Sequence, residues 1–200
     1  MYKKISRLLK KGLSIYYRLR IKNHPCIISR DCIGGVLYER LDTVFTSPTI
    51  KLYMTNEDFI LFCLYLQDFV LGKIEEIIEP VGYPVGRIRT DKGEIKLHFM
   101  HYSSFEEAAI SWEARKQRID YNNIRVILNA EPKVEHGVVN NFMKIPYKKI
   151  LLSSDLEECS ELRNMKCYQN GYVGPLVAYT SKKIPFLRYM DEIDWIDFLN

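Results

Sequence analysis

Apolar and polar positions along this chain follow two different periods, and the switches between them mark its elements. Cys26 to Ser29 is a short apolar run of the buried-strand type, and Gly35 to Leu41 reads as a short helix. Thr49 to Met54 alternates and is rich in strand formers. Thr55 and Asn56 then offer a helix N-cap, with Glu57 and Asp58 in the first turn, where the helix dipole favours acids. Phe59, Phe62, Cys63, Leu66 and Phe69 form one apolar stripe, and Gly72 ends that helix.

Val85 to Thr90 and Glu94 to His101 flank Asp91-Lys92-Gly93, the pattern of a hairpin. In its second strand Ile95, Leu97, Phe99 and His101 fall on one face. Ser104 and Glu107 make a capping box for a helix that buries Phe105, Ala108, Ala109, Trp112 and Ile119. Ile124 to Leu128 and Lys149 to Leu152 are further apolar strands, residues 155–175 read as loop-rich, and Asp191 to Leu199 as a final short helix. The pattern predicts a single α/β domain over residues 24–200. It has three layers around a mixed, mostly parallel sheet that includes an antiparallel hairpin.

Composition narrows the class. The chain is 47% hydrophobic and 27% charged, as soluble globular proteins are. No apolar run reaches the roughly 18 residues of a spanning helix; Phe59 to Leu71 is interrupted by Gln67 and Asp68. Five cysteines without a C-x-x-C pair suggest neither a disulfide framework nor a zinc site, and His24 and His136 lack ligand-like neighbours, so no metal is expected. The N-terminus lacks the features of a signal peptide, which implies the cytoplasm. Neither G-x-G-x-x-G nor a P-loop occurs, so no cofactor is indicated.

Charge separates residues 1–23 from the rest. They hold eight basic residues and no acid, leaving 21 basic against 25 acidic residues in the body. Ile5, Leu9, Gly12 and Tyr16, with Leu8, Leu13 and Leu19, form the apolar side of a helix whose far side carries Lys3, Arg7 and Lys10. Such a basic amphipathic helix either docks on the domain or lies on an anionic membrane surface, which would make the protein peripheral at the inner membrane. Nothing resembling a nucleic-acid motif accompanies it, and no nucleic acid is expected as a partner.

Candidate chemistry collects where strands end, because open parallel sheets bind ligands beyond their carboxyl edge. The polar groups there are Ser29, Asp31 and Cys32; Thr55 and Asn56; His101, Ser103 and Ser104; Asn129 and Glu131; Ser153, Ser154 and Asp155. Helix caps need the same residue types, so each also has a structural reading. Cys32 precedes Gly34 and Gly35 at a strand-to-helix turn, where free N–H groups can hold an anion or oxyanion. Cys32 with His101, and Asn129 or Asp31 orienting the imidazole, would be an acyl-transfer constellation. The alternative is a small buried thiol and a core-edge histidine.

Four blocks, "IISRDCIGGVLYERL", "FTSPTIKLYMTNEDFILF", "YPVGRI" and "IKLHFMHYSSFEEAAISWEARKQRI", together resemble a bacterial domain family of unknown function. Its members are often described as exopolysaccharide or capsular polysaccharide biosynthesis proteins. The likeness covers about residues 24–155. Asp31 and Ile33 stand where the family usually has Asn and often Trp. The resemblance implies an α/β fold and a role in surface-polysaccharide assembly, and it marks Cys32, Gly34, Gly35, Ser47, Pro48, His101 and Glu106. It supplies no reaction. The expectation is either a sugar or acyl transferase or hydrolase acting on a sugar or glycolipid precursor, or a non-catalytic accessory protein that binds such a precursor or a synthase. The enzyme would have Cys32, His101 and Asn129 as its catalytic set, and Asp31, Gly34, Gly35, Ser47, Ser104 and Glu106 would line the ligand. The Cys-to-His order alone also suggests a cysteine-peptidase-like fold.

Overall fold

The computed structural model describes residues 2–130, 136–153, 166–169, 181, 183 and 186–200. In chain order the elements are α1 (Tyr2–Arg20), β1 (Cys26–Ser29), α2 (Ile33–Leu41), α3 (Asn56–Leu64), α4 (Leu66–Leu71), β2 (Ile74–Ile77), β3 (Val85–Thr90), β4 (Gly93–His98), α5 (Phe105–Lys116), β5 (Ile124–Asn129), α6 (His136–Met143), β6 (Lys148–Ser153), β7 (Lys166–Gln169) and α7 (Trp195–Leu199). Strands β1, β5, β6 and β7 form a parallel sheet in that order. Strands β2, β3 and β4 form a separate antiparallel sheet.

The parallel sheet is apolar on both faces, which is why β1 and β5 read as continuous buried runs. On one face Ile28, Val126, Leu128 and Leu151 pack with residues from α3 to α6 and with Ile88, Ile95 and Leu97 of the antiparallel sheet. On the other, Ile27, Ile127, Ile150 and Leu152 pack with Tyr17, Leu37, Trp195 and Phe198 from α1, α2 and α7. The two sets alternate along β1, β5 and β6, so a one-residue slip would exchange the cores. The α/β class and the layering agree with the sequence pattern. The hairpin, however, joins β2 in its own sheet rather than lying in the parallel one.

Thr49 to Met54 is not a strand. Ile50, Leu52 and Met54 are buried in alternation, but Lys51 has φ 65°, which turns the chain. Only Tyr53 pairs, in an isolated antiparallel bridge to His98. The helix after Thr55 does form, with Thr55 Oγ1 accepting from the Asp58 N–H, and it breaks at Tyr65 into α3 and α4. Strand β7 lies within the segment read as loop-rich.

Helix α1 docks on the body by an unexpected face. Tyr17 and Ile21 are 4% and 1% exposed and join the second core with Leu13. Ser6 Oγ donates to the Phe186 carbonyl, and buried Arg40 of α2 donates to the Lys10 carbonyl and to the Asp191 carboxylate. Of the apolar side read from the sequence only Leu13 reaches this core; Ile5, Leu8, Leu9, Tyr16 and Leu19 are exposed, as is Ile15.

Candidate functional site

The turn after β1 is held by its own side chains. Ser29 Oγ donates to the Asp31 carbonyl at 2.7 Å and accepts from the Gly34 N–H at 3.0 Å. Asp31 Oδ1 accepts from the Ile33 N–H at 3.0 Å, so Asp31 caps α2 from the position before Cys32. A Cβ on residue 34 would lie 2.5 Å from Ser29 Oγ, and only glycine allows this approach. Gly35 has room: its Cβ would meet Ile50 Cγ2 at 3.6 Å. Two N–H groups of this turn, those of Ile33 and Gly34, are therefore already engaged rather than free to hold an anion.

The segment Tyr53–Met54 carries this turn to the antiparallel sheet. The Met54 N–H donates to the Arg30 carbonyl, while Tyr53 and His98 exchange two backbone hydrogen bonds of 2.9 Å. The end of β1 and the end of β4 are thus tied side by side. Strand β4 stops at His98, and residues 99–102 turn back, with Met100 N–H donating to the His98 carbonyl and Tyr102 N–H to the Phe99 carbonyl. The rings of Phe99 and Tyr102 are buried edge to face beneath this turn. His101 consequently leaves the strand face on which its spacing placed it and becomes exposed.

His101 Nε2 lies 3.2 Å from Cys32 Sγ. Burial, with a smaller contribution from the Asp31 carboxylate, pushes the Cys32 thiol up to about 11. The thiol is therefore protonated at neutral pH, and where Nε2 carries no proton the S–H donates to it. The pair is poised for proton transfer within a hydrogen bond rather than stored as a thiolate and an imidazolium.

Asn129, at the end of β5, does not orient the imidazole. Its Nδ2 donates to Asp31 Oδ2 at 2.8 Å, and among the described residues its buried Oδ1 has no hydrogen-bond partner. Asp31 is held by that amide, the Ile33 N–H and the nearby Arg30 charge. Burial still dominates and raises its carboxyl above the ordinary range. The sequence reading passed over Arg30, which is itself buried, donates to Asn56 Oδ1 and lies over the Tyr53 ring.

The other candidate residues are placed differently. Ser47 is fully buried, bonded to Thr49, whose hydroxyl in turn accepts from the Ser29 N–H; it braces the turn and cannot meet a ligand. Ser104 caps α5 by accepting from the Glu107 N–H, and the Glu107 carboxylate returns to Ser103 rather than to Ser104. Glu106 is exposed on the first turn of α5. Glu131, Ser154 and Asp155 lie outside the described residues. A cavity of about 760 Å³ lies between α1 and α2, and neither Cys32 nor His101 lines it. Among the described residues no group of three His, Cys, Asp or Glu side chains is placed to hold a metal, and no helix is long and apolar enough to cross a membrane.

Residues 4–200 match the family described as "Domain of unknown function (DUF1919)", and the chain belongs to that family. The match includes nearly all of α1, well beyond the blocks that carried the sequence resemblance. The chain is also similar to an uncharacterised protein of Haemophilus influenzae, 26% identical over 180 residues that cover 87% of this chain and 83% of that protein. Neither description names a reaction or a pathway.

Proposed function

We propose that this member of the DUF1919 family is a cytoplasmic acyl transferase or hydrolase of surface-polysaccharide assembly, with Cys32 as nucleophile and His101 as general base. The observation that carries the reading is the 3.2 Å separation of Cys32 Sγ and His101 Nε2 at the carboxyl edge of the parallel sheet. The free thiols Cys26, Cys32 and Cys63 suit a reducing compartment.

In the proposed reaction His101 Nε2 takes the Cys32 proton as the sulfur attacks an acyl carbonyl carbon. Collapse of the tetrahedral adduct forms a thioester and breaks the bond to the leaving oxygen or nitrogen, which receives that proton from His101. Water or a sugar hydroxyl then attacks the thioester, His101 takes its proton, and the thiolate leaves and is reprotonated. The pair favours acyl over glycosyl transfer, because sulfur readily forms a thioester. Glycoside chemistry ordinarily needs two carboxylates, and here Asp31 is buried and engaged. The polysaccharide assignment rests on the sequence resemblance alone.

A second reading, a non-catalytic protein that binds a glycan precursor or a synthase, is favoured by the raised thiol pKa and by the occupied Ile33 and Gly34 amides. Chromosomal Cys32→Ala and His101→Ala variants separate the readings. The enzyme reading predicts loss of surface polysaccharide at unchanged protein level and melting temperature. Wild-type polysaccharide from both variants contradicts it.

A further inference from the structure

We propose that the outer face of α1 is a docking surface for an anionic lipid bilayer. Ile5, Leu8, Leu9, Ile15, Tyr16 and Leu19 recur at helical spacing along its length and all are exposed, Leu8 by 62% and Leu19 by 64%. These residues are not the helix's contribution to the core, since the body takes the opposite side through Leu13, Tyr17 and Ile21. An apolar stripe left in water on a helix that already has a packed face is unusual for a structural element.

Charge identifies the occupant. Lys4, Arg7, Lys11 and Arg18 run along one border of the stripe and are exposed, Arg20 stands on the other, and the helix contains no acid. The first border also lines the cavity of about 760 Å³ against α2, where Lys10 joins it and Glu39 and Asp42 only partly offset these charges, Arg40 being neutralised by Asp191. Arg18 already pairs with Asp42. A second copy of the chain would set two such basic helices against each other, which like charge opposes. A bilayer containing acidic lipid offers both phosphate at the headgroup level and hydrocarbon below it. Because α1 is fastened to the body, binding would fix the orientation of the whole domain rather than tether it loosely.

The test is co-sedimentation of the full chain with vesicles of phosphatidylcholine, with and without phosphatidylglycerol. Binding is expected only to the acidic vesicles and only at low salt. Leu8→Asp/Leu19→Asp should lower the bound fraction by about tenfold or more without changing the melting temperature, since both side chains are already exposed. Lys4→Glu/Lys11→Glu, which keeps the stripe, should also lose binding. The proposal is overturned if the full chain ignores acidic vesicles or if the Leu8→Asp/Leu19→Asp protein binds as well as the parent. It is also overturned if the stripe instead holds two copies together in solution and the same substitutions separate them.

Discussion

Asn129 Nδ2 lies 2.8 Å from Asp31 Oδ2, joining the ends of β5 and β1 beneath the Cys32 turn. Hydrogen bonds to Asp31 favour its charged form, yet burial outweighs them and its carboxyl holds a proton to higher pH than it would in the unfolded chain. Above the ordinary Asp value of about 4, the folded state binds more protons than the unfolded one. Raising the pH from there through the folded Asp31 pKa therefore costs stability. Asp31→Asn removes this term. The difference in melting temperature, wild type minus Asp31→Asn, should become more negative as pH rises through that window. A difference that grows more positive contradicts the assignment.

The adjacent glycines should respond in opposite ways. Gly34→Ala drives a Cβ to 2.5 Å from Ser29 Oγ, whose hydrogen bonds hold the turn, and should cost about 1–3 kcal/mol in urea unfolding. Gly35→Ala meets only Ile50 at 3.6 Å and should be neutral, or stabilise by up to about 1 kcal/mol through helix propensity. Equal losses at both positions would mean that the turn is not held by Ser29.

Much of this turn was legible in the chain itself. The apolar run Cys26–Ser29 and the cap at Thr55 declare themselves through residue type, and both form as read. Thr49–Met54 misleads because burial does alternate there, while a positive φ at Lys51, which no side-chain pattern encodes, prevents strand pairing. Strand β2, Ile-Glu-Glu-Ile, is short and carries two exposed glutamates, so it offers no apolar signal. In α1 the stripe was visible, but which face the body takes depends on Leu13, Tyr17 and Ile21 finding partners far along the chain. Cys32 and His101 were both recognisable as residues beyond strands. Their contact depends on the Tyr53–His98 bridge and on the turn at Met100, two long-range facts of packing. Asn129 was assigned to the imidazole because its strand exit is correct, but the nearer carboxylate of Asp31 takes its amide.

The acidity of Cys32 distinguishes two kinds of cysteine–histidine pair. With the thiol pushed up to about 11, its rate of alkylation by iodoacetamide should keep rising with pH well above neutrality. Asp31→Asn should shift that profile downward by removing the neighbouring charge. Cys26, buried and pushed up to about 12, is the internal control in the same mass spectrum. A rate that levels off at or below about pH 7 would instead indicate a preformed thiolate–imidazolium pair.

The most direct measurement is covalent trapping of the wild-type chain with p-nitrophenyl acetate, followed by peptide mapping. One acetyl group is expected at Cys32, carried as a thioester that hydroxylamine removes, with none at Cys26 or Cys63. His101→Ala should also slow acetylation at neutral pH by about 100-fold or more, because the protonated thiol then lacks its base. Acetylation of Cys32 at the wild-type rate in His101→Ala, or no acetylation of Cys32 at all, would contradict the claim that these two residues form a nucleophile and its base.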